Sequence, residues 1–348
     1  MVDTTVLVLG GGNALGAYHG GVYEALCEAD IQPDWIVGAS IGAITGALIA
    51  GNAPEHRLPR LRRYWELACD RDLSWGVPAW ADDWPWGVVP WWRDHENEAH
   101  ALRSLLAGKP GFFTPRFPGL LTILPALPND MALLDHRPMA ATLRGLVDMD
   151  RLQGGAIRLT VGCLDVTTGE EVYFDSTTTP LTWDHLLAST AAMPLFPPIK
   201  VGEHLLCDLV HRNNMPLDRP ILEKAEGDLL CFASELFAIG GPAPSDMAGT
   251  LARCQDLQCA SHAQRSLATL RREYDVRRRA GLPGSLTLVH VAHRAPTHEK
   301  AGKSLNFSAR SIAERWQAGR DDMRGALERW RAQSPTERFT YVTAPTSP

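Results

Sequence analysis

Trp35-Ile36-Val37-Gly38-Ala39-Ser40-Ile41-Gly42-Ala43-Ile44 is the stretch on which the fold turns. Trp35 to Val37 is a short apolar run that reads as a buried strand, and Ile41 to Ala50 is small and apolar, as a buried helix is. Between them stands G-x-S-x-G. In that context the motif makes a tight strand-to-helix turn that holds a serine hydroxyl out where a substrate carbonyl can reach it. Gly38 and Gly42 would flank Ser40 as a nucleophile elbow, because side chains there would clash as the backbones close. Amides at the start of the following helix favour negative charge beside the serine.

A second glycine turn stands upstream. Val6 to Leu9 reads as a buried strand and ends at Gly10-Gly11-Gly12-Asn13-Ala14-Leu15-Gly16, after which Val22, Leu26 and Ala29 mark one face of a helix. Amides exposed by such a turn bind a phosphate or stabilise an oxyanion. The dinucleotide reading needs G-x-G-x-x-G and an acid at the end of the next strand. Here position 15 is leucine and the next strand runs into Gly38-Ala39-Ser40. A turn that needs glycine for its geometry alone is the remaining reading.

Far downstream, Ala188-Ser189-Thr190-Ala191-Ala192-Met193-Pro194 precedes Asp208-Leu209-Val210, and Asn214-Met215-Pro216 follows. Glycine turn, elbow, Ala-Ser segment, aspartate and Asn-x-Pro, in this order and at these long intervals, resemble the patatin-like phospholipase family over roughly residues 5 to 220. The resemblance implies an α/β fold with three α/β/α layers and a mainly parallel central sheet. It also implies an aromatic cap insertion and a helical C-terminal extension like that of one bacterial subgroup. The implied activity is that of a serine acyl hydrolase, a lipase or esterase of phospholipase A type. Ser40 and Asp208 would form its dyad, passing through an acyl-enzyme, and Gly11, Gly12 and Asn13 its oxyanion hole. No cofactor and no metal are called for, and the partner is an acyl ester or lipid substrate.

The chain departs from the family pattern in two places. Aligned on Gly16, Asn13 replaces a glycine of the oxyanion loop and Leu15 its basic residue, though a backbone amide needs no side chain to donate. Leu209-Val210 stand where the family has Gly-Gly or Gly-Ala. Glycine there lets the loop pass the serine at backbone angles that a branched residue resists. The expectation is an Asp208 held back from Ser40, low activity, and a gain in kcat on restoring both glycines. Two alternatives follow. One is an α/β-hydrolase esterase whose Ser-Asp-His triad is completed by His290 or His293, which obey that chain order. The other is a catalytically weakened acyl-ligand binding or scaffold protein. His19, on the first helix, reads as structural.

With 348 residues, 45% of them hydrophobic, the chain suffices for one large catalytic domain, residues 1–240, and a smaller extension, 241–348. A net charge of −6 implies no bulk attraction to nucleic acid. Seven scattered cysteines without a C-x-x-C spacing suggest neither zinc site nor disulfide framework. Together with the lack of a signal-peptide pattern or membrane-length apolar run, they point to the cytoplasm. Trp75, Trp80, Trp84, Trp86, Trp91 and Trp92 are interleaved with prolines, and a second irregular stretch, Pro110 to Pro128, holds Phe112, Phe113 and Phe117. Residues 75–130 read either as a cap lining an acyl pocket, with tryptophans suited to peripheral membrane contact, or as a satellite core. Asp246 to Arg279 and Ser308 to Arg331 read as long helices. Arg277-Arg278-Arg279 complements the first helix's dipole, with a lipid-binding patch as the alternative. The stripe Ile312, Trp316, Met323, Leu327 and Trp330 of the second closes a core or, in the rival reading, forms a homodimer seam.

Overall fold

All four residues of Val6-Leu7-Val8-Leu9 are buried, and alternate side chains enter two different apolar clusters. A strand built that way lies inside a sheet covered on both faces. The computed structural model describes residues 2–70, 89–123, 128–224, 226–333 and 338–344. Its strands are β1 (Thr4–Leu9), β2 (Trp35–Ala39), β3 (Thr114–Pro115), β4 (Leu134–Asp135), β5 (Arg158–Asp165), β6 (Glu171–Asp175), β7 (Ile199–Val201), β8 (His204–Asp208), β9 (Asp228–Glu235), β10 (Ser285–Ala292) and β11 (Phe339–Thr343). Its α-helices are α1 (Ala17–Glu28), α2 (Ile41–Ala50), α3 (Pro54–Ala68), α4 (Val89–Ala107), α5 (Pro138–Arg144), α6 (Met149–Gln153), α7 (Trp183–Ser189), α8 (Asp218–Glu223), α9 (Met247–Arg279) and α10 (Ala309–Ala332).

Nine strands form the central sheet in the order β11-β10-β9-β1-β2-β5-β8-β7, with β6 paired to β5. β11 through β5 run parallel, and β6, β7 and β8 are antiparallel additions at one side. On one face Leu7, Leu9 and Ile36 pack with side chains of α1, α2 and α10. On the other, Val6, Val8 and Val37 pack with Ala263, Leu267, Leu270 and Tyr274 of α9. Residues after 240 thus supply both long helices and two strands of the same sheet. β11 had no counterpart in the sequence reading.

The stripe on α10 is buried within the chain against α1, which leaves no homodimer seam there. The two helices approach at backbone distance because glycine stands at the crossing. A Cβ on Gly21 would lie 1.8 Å from the Trp316 carbonyl oxygen, and one on Gly319 2.1 Å from that of Tyr18. Ser308 caps α10 by accepting the Ser311 amide. At the end of α9, Arg277 pairs with Glu273, and Arg278 and Arg279 with Asp275, so the basic run is engaged along its own helix. Leu251 and Leu257 of α9 are exposed.

Of the aromatic insertion, Trp75, Trp80, Trp84 and Trp86 lie outside the described residues. Phe112 and Phe113 are buried in the main core, whereas Phe117 is 80% exposed. No helix among the described residues is long and apolar enough to cross a membrane.

Candidate active site

Ser40 sits between β2 and α2 at φ 55°, ψ −126°, a conformation that only three non-glycine residues share in sign of φ among those described. Backbone held there is strained, and it persists because the surroundings over-determine it. A Cβ on Gly38 would lie 2.5 Å from the backbone of Gly42 and Ala43, and one on Gly42 2.2 Å from the Leu9 carbonyl oxygen. Both glycines of the elbow are thus required by close backbone approach. The Ser40 amide is held by Ser189, whose Oγ accepts it at 3.0 Å and donates to the Gly162 carbonyl at 2.7 Å. Ser189 lies within the Ala188–Pro194 segment and supports the elbow across 149 residues of sequence.

Asp208 ends β8, is 1% exposed, and lines the same cavity as Ser40. Burial pushes its carboxyl up to about 6. The nearby Ser40 hydroxyl and the Val210 amide, which donates to its Oδ1 at 2.9 Å, oppose that rise. Its own amide donates to the Ala191 carbonyl at 3.1 Å, fixing the strand end.

The Leu209-Val210 loop carries no positive-φ strain and leaves Asp208 on the Ser40 cavity. Neither residue is at positive φ; they form a single 3-10 turn, Leu209–His211. Leu209 is fully buried with Ala39, Leu164 and Cys207. It occupies space left by Gly162 on β5, where a Cβ would lie 2.7 Å from Leu209 Cδ2. A glycine on the neighbouring strand therefore compensates for the absence of one in the loop. Leu209→Ala is expected to cost about 2–5 kcal/mol of stability, the usual range for truncating a buried leucine, without raising kcat. Denaturant unfolding and ester turnover on one preparation check both; a faster, equally stable variant would restore the first expectation.

The glycine turn lies against the serine. The Gly11 amide donates to the Asn214 carbonyl at 3.0 Å, and the Asn214 side-chain amide donates to the Gly11 carbonyl at 3.2 Å. Gly11 is thus removed from the set of oxyanion donors, because its N–H is already spent. It must still be glycine: a Cβ there would lie 2.7 Å from Asn214 Oδ1 and 3.0 Å from Ser40 Cβ. Gly12 and Asn13 line the cavity, and among the described residues neither amide has an acceptor within the protein. Asn13 is at φ 53°, a value asparagine tolerates better than most residues. The turn is braced from outside by two residues. Buried His19 bridges the Gly10 carbonyl (2.9 Å) and Ser234 Oγ (2.8 Å), and burial lowers its pKa to about 4, so it is neutral at pH 7. Buried Arg315 of α10 donates to the Ala14 carbonyl at 3.0 Å and pairs with Glu299 at 2.6 Å. Arg315 carries no motif, and nothing in the sequence pointed to it.

His290 and His293 line a different cavity from Ser40 and Asp208. The triad alternative is therefore overturned. Both histidines sit at and just beyond the end of β10, and β9 and β1 separate that strand from β2 and the elbow.

The cavity that holds Ser40 has a volume of about 640 Å³. Tyr64, Phe112, Phe113, Met139, Phe196 and Phe307 form one wall; Gln255, Gln258, Ser261 and His262 of α9 form another. An apolar wall joined to a few polar groups suits an amphipathic ester. No group of three or more His, Cys, Asp or Glu residues placed to hold a metal ion occurs among the described residues.

A family described as patatin-like phospholipase matches residues 7–221, and one described as patatin phospholipase matches residues 257–338. The chain is 36% identical over 91 residues to a patatin-like phospholipase domain-containing protein of Coccidioides immitis, covering 25% of this chain and 12% of that protein. It is 44% identical over 103 residues to neuropathy target esterase sws of Drosophila sechellia, covering 30% of this chain and 6% of that protein. The matched segments are thus a small part of those relatives' own length. Human GIVD cytosolic phospholipase A2 superposes with a TM-score of 0.40 at 12% identity, covering 92% of this chain and 58% of that one.

Proposed function

The chain belongs to the patatin-like phospholipase family, and from that membership and the geometry around Ser40 we infer that it hydrolyses carboxylic esters of lipids through a Ser40–Asp208 dyad. The observation that carries this reading is the shared cavity: a strained serine, a buried carboxylate facing it and two unengaged amides open to one apolar-walled space. Ser40 Oγ attacks the ester carbonyl while its proton passes to Asp208. The carbonyl oxygen takes up the electron pair and accepts hydrogen bonds from Gly12 and Asn13. As the intermediate collapses, the C–O bond breaks and the proton goes to the departing alcohol, leaving the acyl chain on Ser40. Water, deprotonated by Asp208, then releases the acid and restores the serine.

Labelling with a fluorophosphonate followed by mass spectrometry of the modified peptide tests the assignment without a guess at the substrate. Label on Ser40 is expected; label elsewhere, or none while control esterases in the sample react, sinks the reading. The acyl chain is assigned to the aromatic wall. Phe113→Leu is expected to change acyl-chain preference several-fold while leaving turnover of a small acetate ester within about tenfold, roughly 1.4 kcal/mol of barrier. A collapse of acetate turnover in the folded variant would place Phe113 in the chemical step. Phe117, Leu120 and Leu121 are exposed and close in chain to Phe113, and exposed Met131 lies two residues before Leu133, whose amide donates to the carbonyl of Pro194 at the cavity. They support a peripheral contact with a lipid surface.

A further inference from the structure

A second cavity, of about 320 Å³, opens where β9, β10 and β11 end, and it shares no lining residue with the Ser40 cavity. Its size exceeds that of an ordered water, whose share of liquid volume is about 30 Å³. Carboxyl ends of parallel strands are where open α/β sheets take their ligands. This cavity stands there: Glu235 is the last residue of β9, Ala292 of β10 and Thr343 of β11.

The lining holds buried polar atoms that the protein itself does not satisfy. Glu235 is 2% exposed and its Oε1 has no hydrogen-bond partner among the described residues. Its Oε2 lies 3.0 Å from His290 Nε2, and His290 Nδ1 is 3.0 Å from the Tyr341 hydroxyl. Oε2 has that ion-pair contact, whereas Oε1 is left with bare lone pairs. His293 is 3% exposed, its ring lies 5.2 Å from that of Tyr18, its Nε2 lies 3.8 Å from Glu299 Oε2, and neither nitrogen is hydrogen-bonded among the described residues. Across the cavity, Asp322 of α10 accepts the Tyr18 hydroxyl at 2.7 Å and keeps its second oxygen. Burial raises the pKa of both Glu235 and Asp322. A buried carboxylate oxygen left unpaired costs about 1–3 kcal/mol or more, which marks such an atom as waiting for a partner.

The chemistry of that partner follows from what the lining lacks. The open valences on the carboxylates are acceptors: Glu235 Oε1 and an Asp322 oxygen. Two carboxylates face the space, against a single arginine, Arg294, which is exposed. Among the described residues the carboxylates and histidines are not grouped as metal ligands, so the complementary group is a cationic N–H donor. We propose that this cavity is a second binding site, separate from the Ser40 site, for a small molecule bearing a protonated amine, with Glu235 Oε1 as principal acceptor and Asp322 as the second. An ammonium group carries three donors and no acceptor, which matches that set.

The test uses the full chain, with ethanolamine and diaminobutane as probes and butanediol as the uncharged control, by isothermal titration and thermal melting at constant ionic strength. One-to-one binding of at least one amine at millimolar concentration or below is expected, with a rise in melting temperature as mass action requires. Glu235→Gln, which keeps the shape and removes the charge, should weaken binding at least about tenfold. Asp322→Asn should weaken it several-fold, and Ser40→Ala should leave it unchanged. Circular dichroism on each variant separates lost binding from lost fold; if Glu235→Gln does not fold, the Asp322→Asn titration decides. Absence of amine binding, equal binding of the diol, or undiminished binding in the folded carboxylate variants would overturn the proposal. None of these readouts depends on ester hydrolysis, so the Ser40 assignment stands or falls separately.

Discussion

Ser40→Ala is expected to lower ester hydrolysis by at least about 10⁴-fold with little change in stability. The size follows from the role: no other hydroxyl takes the place of the attacking atom, and what remains is the contribution of the amides and the binding walls. The small stability effect follows from the elbow. The backbone cost of φ 55° is the same for alanine as for serine, and the Ser40 hydroxyl caps no helix. The amide contact to Ser189 is a main-chain one and survives the substitution. Steady-state kinetics on a p-nitrophenyl ester, with a melting curve on the same sample, reads both quantities. A folded variant retaining a tenth of wild-type activity would falsify the nucleophile assignment, and fluorophosphonate labelling should vanish in parallel.

Asp208→Asn should reduce kcat by about 10²–10⁴-fold, the span typical of losing a general base. The base acts ionised, and burial holds its carboxyl up at about 6. In the wild type kcat/KM should therefore fall as pH drops through about 6, and the variant should lose that limb. Stability carries the opposite signature. With a folded-state pKa above the unfolded value, the native state binds the proton more tightly, so stability is highest when Asp208 is protonated and declines as pH rises toward 6. At pH 7 the asparagine variant should be more stable, by up to about 3 kcal/mol at roughly 1.4 kcal/mol per pKa unit, and the gain should shrink toward pH 4. A slow variant that is also destabilised at pH 7 would mean that Asp208 acts as a structural anchor.

The elbow was legible because its requirements are local. A strand, a tight turn and a buried helix follow one another within sixteen residues, Trp35 to Ala50, and the clash that demands Gly38 lies within that stretch, whereas the one that demands Gly42 is with Leu9 of β1. The strands β1 and β2 were legible for a like reason: a strand buried on both faces reads as an apolar run. The paired Asp208 and Asn-x-Pro could be found by family resemblance, but their physical purpose could not. That Asn214 clamps Gly11 by two hydrogen bonds depends on a contact 203 residues apart in sequence. Arg315 illustrates the limit: an arginine in an amphipathic helix is an ordinary surface residue by pattern, and only its burial against Ala14, Asn306 and Glu299 makes it a brace of the glycine turn.

The sequence by itself determined the candidate nucleophile, the elbow and the second glycine turn, because each rests on residues close in the chain or on a periodic burial pattern. Tertiary structure decided the rest. It took Gly11 out of the oxyanion set by giving its amide to Asn214. It reconciled Leu209 with the loop by setting it over Gly162, and it placed His290 and His293 at another cavity. In each case the outcome is a matter of which atoms share a volume or a hydrogen bond across a fold. Neither spacing nor composition carries that information, since both describe the chain one neighbourhood at a time.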